Sequence, residues 1–215
     1  MVIDWMGHSC FKVTVTGGTR ILFDPYDSSL GYPPQDFKAD IVAISHDHYD
    51  HNAANRVKGS FSTVKTQGEH VFGDILIEGV KTWHDAALGR QRGENIAFIL
   101  KAEGLTLCHM GDIGCIPSED VFQKLSGIDI LMIPVGGNYT VGTREALEIC
   151  ERIRPNIIIP MHFWTQFTSL KLAPVDEFIE AAGNDYDVSH PGKCRLEIDK
   201  AGLKKRPRIV VMECI

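Results

Sequence analysis

Residues 45–51 read Ser-His-Asp-His-Tyr-Asp-His and directly follow the apolar run 41–44. Four side chains in this heptad are of the kinds that bind zinc, manganese or iron: His46, His48, Asp50 and His51. Residues two apart in an extended segment project to the same side, so His46 and His48 can reach one ion together. Asp50 and His51 then supply ligands for a second ion nearby. The alternative is a polar surface turn, since chance alone gives this spacing in about one of a thousand similar sequences.

Length and composition indicate an ordinary globular protein. The chain has 215 residues, of which 44% are hydrophobic and 23% charged, and this size favours a single domain spanning 1–215. The net charge is −6, and the longest basic run is 204–206. A surface that binds nucleic acid usually carries a basic stripe. We therefore expect no nucleic-acid partner, and a small-molecule substrate fits this composition better; a homo-oligomer remains open.

The sequence also predicts a compartment. No apolar stretch approaches the roughly 18 residues of a membrane-spanning helix, and the first residues lack the pattern of a secretory signal. The cysteines have no close pairs of metal-finger spacing. Cys10, Cys108 and Cys150 lie within apolar patterns and are expected to pack as buried, reduced thiols. These features favour a cytoplasmic protein with no membrane association.

The first half of the chain reads mainly as strands. Apolar and β-branched runs predict strands at 2–5, 11–15, 20–23, 41–44, 62–66, 75–77, 80–83, 96–101 and 105–109. Gly17 and Gly18 indicate a hairpin turn between the second and third strands. The proline-containing stretch 25–38 is predicted to be a loop.

The second half alternates helices and strands. Ser118 is predicted to cap a helix over 119–125, and Thr143 to cap a helix over 144–154. A third helix is predicted over 174–182, with Pro174 near its first turn. Strands are expected at 129–135, 156–160, 186–189, 194–198 and 208–212. Helices that follow strands only in this half favour an α+β sandwich, with two mixed sheets and outer helices, over a doubly wound single sheet.

Three further segments each deliver a potential ligand after an apolar strand. They lead to His84, Asp112 and His162. Strand ends in a packed sheet are rigid platforms for such ligands. One ion would be held by His46, His48 and His84, the other by Asp50, His51 and His162, with Asp112 bridging them. Taken singly, His84 could be a surface residue, Asp112 a turn residue and His162 a hydrogen-bonded core residue; their order along one chain favours the metal site.

This order of ligands resembles that of the metallo-β-lactamase superfamily of metal-dependent hydrolases. The resemblance extends over almost the whole chain, and its finer details are similar to the ascorbate-6-phosphate lactonase-like branch. Those details lie in segments 5–11, 22–25, 134–140 and 160–163. The resemblance implies a four-layer αββα sandwich with a dinuclear metal site at one edge of the sheets.

Such a site predicts hydrolysis by a metal-bound hydroxide. Two divalent ions, Zn²⁺ first and Mn²⁺ or Fe²⁺ as alternatives, would lower the pKa of a shared water to about 7 and polarise an ester, lactone, amide or phosphoester. Asp50 would be the catalytic residue that orients the hydroxide. Asp24 could fix a ligand imidazole, or be a turn residue before Pro25.

Other residues near the predicted site have open roles. His8 could donate a proton, contact substrate or serve a structural hydrogen bond, and Asn138 and Tyr139 could contact substrate or form a plain turn. His109, inside an apolar strand, is expected to be a hydrogen-bonded core residue. The competing functions on the same fold are a di-iron reductase of oxygen or nitric oxide, an RNA-processing nuclease and a non-enzymatic metal-binding module.

Overall fold

A computed structural model describes residues 1–204 and 206–213, so Cys214 and the centre of the basic run 204–206 lie outside the described residues. Strands make up most of its regular structure. In chain order they are β1 (Val2–Gly7), β2 (Cys10–Thr14), β3 (Arg20–Phe23), β4 (Ile41–Ala43), β5 (Ser62–Val64), β6 (Gly68–Phe72), β7 (Ile75–Trp83), β8 (Glu94–Ala102), β9 (Leu105–His109), β10 (Ile130–Pro134), β11 (Ile157–Met161), β12 (Asp187–Ser189), β13 (Arg195–Glu197) and β14 (Arg208–Val210). The α-helices are α1 (Glu119–Lys124), α2 (Thr143–Ile153) and α3 (Val175–Ala182).

The strands form two mixed sheets, as predicted. The first sheet has the order β13-β1-β2-β3-β4-β5, with antiparallel pairing from β13 to β3 and parallel pairing from β3 to β5. The second has the order β12-β14-β11-β10-β9-β8-β7-β6. Its pairing is parallel from β12 to β9 and antiparallel from β9 to β6. Each sheet therefore places several strand ends at the same edge of the molecule.

The inner faces of the two sheets share one apolar core. Phe23 of the first sheet meets Phe98 of the second with 6.3 Å between ring centroids, and both side chains are fully buried. Burial of one such side chain contributes about 1.5–3 kcal/mol relative to exposure. This core holds the two sheets in a fixed relation, so residues at their shared edge can form one site.

Different layers cover the outer faces. Apolar residues of the three helices, including Phe122, Ile149 and Phe178, belong to the same core as the second sheet. Over the first sheet, a second cluster joins Leu22 of β3 to Tyr26, Leu30, Tyr32 and Phe37 of the following loop, which contains the short 3₁₀ turn Ser28–Leu30. The loop predicted at 25–38 thus forms the outer layer on that side.

Some predicted element boundaries were wrong, each for a local reason. The predicted strands at 75–77 and 80–83 are one strand, β7, because Glu78 and Gly79 continue the antiparallel pairing with β8. Gly142, not Thr143, is the N-cap of α2, since Thr143 is already helical. Pro174 is likewise the N-cap of α3, with extended backbone at φ −69° and ψ 156°.

A buried carboxylate ties three strands of the first sheet together. The Asp4 carboxylate of β1 accepts hydrogen bonds of 2.7 and 3.3 Å from the Arg195 guanidinium of β13 and lies 3.2 Å from Lys12 Nζ of β2. Burial alone would raise the pKa of Asp4, but these two cations outweigh it and lower that pKa below 3.8. Its charged form therefore stabilises the fold.

We expect Asp4→Asn to lower the free energy of unfolding by about 1 kcal/mol at pH 7, because the exposed Arg195 is partly screened by water. The stabilisation is complete above the unfolded-state pKa of 3.8 and is lost as the pH falls through the lower folded-state pKa. Urea titration at pH 7 and below pH 3 measures the difference. Asp74→Asn, at an exposed turn position, is the matched control. An equal loss for D4N at both pH values would contradict this account.

Candidate metal centre

The predicted ligands come together where strands of both sheets end. His46, His48, Asp50 and His51 lie after β4 of the first sheet. His84 follows β7, Asp112 follows β9 and His162 follows β11, all in the second sheet. Each ligand therefore sits at the end of a strand whose apolar residues are packed in the core.

The ligand atoms form two main groups, and a third group, made of His46, His51 and Asp112, joins them. Atoms of His46, His48 and His84 lie within 4.8 Å of one another, and the same holds for a second group made of Asp50, His51, His162 and His8. His8 was predicted to be near the site, without a ligand role.

Asp112 lies between the two groups. Its Oδ2 is 3.4 Å from His84 Nε2 in the first group and 3.1 Å from His162 Nε2 in the second. Its Oδ1 is 3.2 Å from His51 Nε2. One carboxylate thus faces donors of both groups.

Several donor atoms in the site are buried without a hydrogen-bond partner. They include Nε2 of His46, His51 and His162 and Oδ1 of Asp112. An unsatisfied buried polar atom costs about 1–3 kcal/mol, so such a concentration in one place needs a compensating group. Imidazole nitrogens and carboxylate oxygens are ligands of zinc, manganese and iron. The residues present therefore fit divalent metal ions.

The electrostatics of the site favour positive charge. Burial disfavours the charged form of Asp112, yet His162 and His51 outweigh it and hold the pKa of that carboxyl well below its ordinary value. Burial likewise opposes the charged form of His51, but Asp112 and Asp24 raise its pKa well above the usual one. Burial lowers the pKa of His46 to about 3, which leaves this imidazole neutral, as a ligand must be. The carboxylates thus stabilise positive charge in the site, either on the His51 imidazole or on a bound cation.

Asp24 organises one side of the site. It is fully buried, and its Oδ2 lies 2.8 Å from His51 Nδ1 and accepts a 2.6 Å hydrogen bond from Ser45 Oγ. The Ser45 backbone amide donates to the other oxygen at 2.8 Å. Because the hydroxyl hydrogen of Ser45 points to Asp24, Ser45 Oγ is left to accept from His46 Nδ1 at 2.9 Å. These contacts direct Nε2 of His51 and His46 into the site.

Asn95, on the neighbouring strand β8 of the same sheet, positions Asp112. Its side-chain oxygen accepts a 2.9 Å hydrogen bond from the Asp112 backbone amide, while its side-chain nitrogen donates to Met110 O at 2.8 Å. Gly111 has φ +55°, and a Cβ there would stand 2.3 Å from Asn95 Oδ1. Sequence reasoning missed both Ser45 and Asn95. Ser45 stands inside the decisive heptad, whereas nothing near Asn95 in the sequence marks it.

The remaining predicted residues take different places. Tyr139 lines a pocket of about 250 Å³ with His48, Tyr49, Asp50, His84, Arg92, Asp112 and Leu170. The Arg92 guanidinium lies 4.9 Å from the centre of the Tyr139 ring. Asn138 is exposed, and its side chain donates to Lys171 O at 3.0 Å, which is the role of a turn residue.

His109 is a hydrogen-bonded core residue, as expected. Its Nε2 donates to the Ser9 carbonyl at 2.7 Å, and its Nδ1 accepts from the Gly111 amide at 3.2 Å. Both ring nitrogens are therefore used within the protein, and His109 is not available as a ligand.

Comparisons with known proteins agree with this fold. Residues 2–162 match the family described as "Beta-lactamase superfamily domain". A UPF0173 metal-dependent hydrolase of Carboxydothermus hydrogenoformans is 30% identical, over 90% of this chain and 98% of its own. One from Pyrococcus furiosus is 30% identical over 76% and 84%, respectively.

Solved structures show the same relationship. The crystal structure of a metallo-beta-lactamase superfamily protein from Thermotoga maritima superimposes with a TM-score of 0.82 and 34% identity, covering 100% of this chain and 99% of its own. Igni18, a metallo hydrolase of Ignicoccus hospitalis, shares the fold with a TM-score of 0.68 and 22% identity, over 99% and 94%.

These matches define the class of protein, the metal-dependent hydrolases. The chain belongs to the metallo-β-lactamase superfamily, as the sequence analysis predicted. Within the described ranges 1–204 and 206–213, every helix is too short or too polar to cross a membrane.

We expect Asp24→Asn to weaken metal binding about 10–100-fold, because the amide cannot replace the carboxylate that holds the ligands His51 and, through Ser45, His46. Titration of metal-free protein with Zn²⁺, followed by isothermal calorimetry, measures the change. Asp47→Asn, at an exposed position of the same heptad, is the control and should bind as the unaltered protein does. Unchanged affinity in D24N would show that Asp24 does not support the site.

Proposed function

We propose that this hydrolase holds two divalent ions side by side, most readily Zn²⁺, with Mn²⁺ or Fe²⁺ as alternatives. His46, His48 and His84 would hold one ion and Asp50, His51 and His162 the other, with Asp112 shared. The observation that carries the proposal is the position of Asp112, whose carboxylate lies 3.1–3.4 Å from donors of both groups.

Bound ions of this kind lower the pKa of water and polarise the oxygen of the bond to be cleaved. The protein's own residues position the attacking water and the substrate. Asp50 is mostly buried and also lines the pocket, so its carboxylate is placed to orient the attacking water by hydrogen bonding. His48 and His84 form another part of the same wall. A substrate that enters this pocket therefore meets the ligands of both ions.

The pocket supports a small substrate. Its volume of about 250 Å³ is below the range of about 300–1,000 Å³ that is usual for drug-sized ligands. Tyr49, Tyr139 and Leu170 give it aromatic and apolar surface, while Arg92 adds a cation. We propose a small ester, lactone, amide or phosphoester as substrate, in keeping with the lactonase-like resemblance of the sequence, and a single domain over 1–215 as the acting unit.

We expect Asp112→Asn and His48→Ala to reduce hydrolysis to background, because each removes a ligand while leaving the apolar core intact. The measurement is a panel of ester, lactone, amide and phosphoester substrates, with circular dichroism to show that the variants fold. His70→Ala, on the edge strand β6, is the control and should retain full activity.

Full activity of both variants on every substrate that the unaltered protein cleaves would overturn the proposed function. Elemental analysis of protein purified without added metal distinguishes the related alternatives. Zinc or manganese supports the hydrolase, whereas iron alone, combined with no hydrolysis, would favour the di-iron alternative.

A further inference from the structure

We propose that His8 is an additional protein ligand, which binds the second ion together with Asp50, His51 and His162. This inference rests on the proposed two-ion function and extends its ligand set. It assigns a role to the turn between β1 and β2, which the sequence analysis left open.

The backbone holds His8 in an unusual conformation. His8 has φ +53° and follows Gly7 at φ +106°, in a turn where the pairing of β1 with β2 shifts register between Trp5 and Gly7. A Cβ at Gly7 would stand 2.5 Å from the Tyr32 ring. Only glycine therefore lets the backbone pass this close to the ring. Trp5 Nε1 donates a 2.9 Å hydrogen bond to the His8 carbonyl and fixes the turn.

This conformation places the imidazole of His8 inside the site. Its ring centroid lies 4.2 Å from that of His162 and 5.4 Å from that of His51. A non-glycine residue in the left-handed region costs about 1 kcal/mol or more, and such strain is concentrated at functional sites. The turn therefore maintains a strained backbone that brings one more donor to the second group.

Neither ring nitrogen of His8 makes a well-formed hydrogen bond, and the carboxylate oxygen that faces it, Asp50 Oδ2, is 3.4 Å from Nε2. The imidazole of His8 is fully buried. His109 makes a useful contrast, since both nitrogens of that buried ring are hydrogen-bonded. The ring nitrogens of the structural His109 therefore have hydrogen-bond partners, whereas those of His8 do not.

The distances are those between ligands of one ion. His8 Nε2 is 3.4 Å from Asp50 Oδ2, and the same oxygen is 3.6 Å from His51 Nε2. With bonds of about 2.0–2.1 Å to one ion that has four or five ligands, adjacent ligand atoms stand about 2.9–3.6 Å apart. A direct hydrogen bond between His8 and Asp50 would instead be expected at about 2.7–3.2 Å. The spacing thus favours a shared ion over a direct bond.

With His8 included, the two ions have different surroundings. The first has three imidazoles, whereas the second has three imidazoles and the Asp50 carboxylate, besides the shared Asp112. The second site is therefore the tighter one, and it fills first when metal is limiting.

The test compares His8→Ala and His8→Gln with the unaltered protein. Metal-free protein is titrated with Zn²⁺ by calorimetry, and Co²⁺-loaded protein is examined by visible absorption, which reports the number and kind of ligands. We expect both variants to lose roughly a hundredfold or more in affinity for the tighter ion, to keep that for the other ion, and to show altered cobalt bands. His46→Ala should instead weaken the other ion, and His190→Ala, at an exposed position, should change nothing.

Glutamine can still hydrogen-bond to Asp50 but is a poor ligand for zinc, which makes H8Q decisive. Unaltered affinity and cobalt bands in H8Q would show that His8 only positions Asp50, and would overturn the inference even if H8A were weakened. Melting temperatures of the metal-free proteins check that both variants fold. Unaltered protein that binds two ions in these experiments leaves the proposed function standing, whereas protein that binds fewer would overturn it and the inference together.

Discussion

A buried carboxylate is stable only when positive charge lies close to it. Asp112 is such a carboxylate, and it lies where the two sheets meet. An isolated charge in a protein interior costs several kcal/mol, so this residue is tolerated only because imidazoles from several strand ends surround it. Those strands belong to different sheets and are far apart in sequence. The site can form only when the two sheets are packed together. The apolar core between the sheets therefore determines how the side chains of the site are arranged.

Support for the ligands is divided between the sheets. On the first sheet, Asp24 holds His51 directly and reaches His46 through Ser45. On the second, Asn95 fixes the backbone at Asp112, and Gly111 allows their close approach. The predicted ligands are thus oriented by hydrogen bonds from residues in strands or close to their ends. Arg92 and Tyr139, which lie in loops, line the pocket beside these residues.

Much of this arrangement could be predicted from the sequence, because metal ligands of fixed type follow apolar strands whose pattern is strong. The heptad at 45–51 and the later His84, Asp112 and His162 belong to that part, as does the two-sheet fold. Contacts between distant segments could not be predicted: the pairing of Asn95 with Asp112 depends on the register of β8 and β9. Strand β6 was missed because it is mostly exposed and lacks apolar alternation. The role of His8 depends on backbone angles at a turn, which no local pattern specifies.

The central claim is that Asp112 is shared by two ions, and anomalous diffraction from zinc-loaded crystals tests it most directly. The account predicts two zinc peaks, one among His46, His48 and His84 and the other among Asp50, His51 and His162, with the Asp112 carboxylate between them. A single peak, or peaks that Asp112 does not touch, would contradict it.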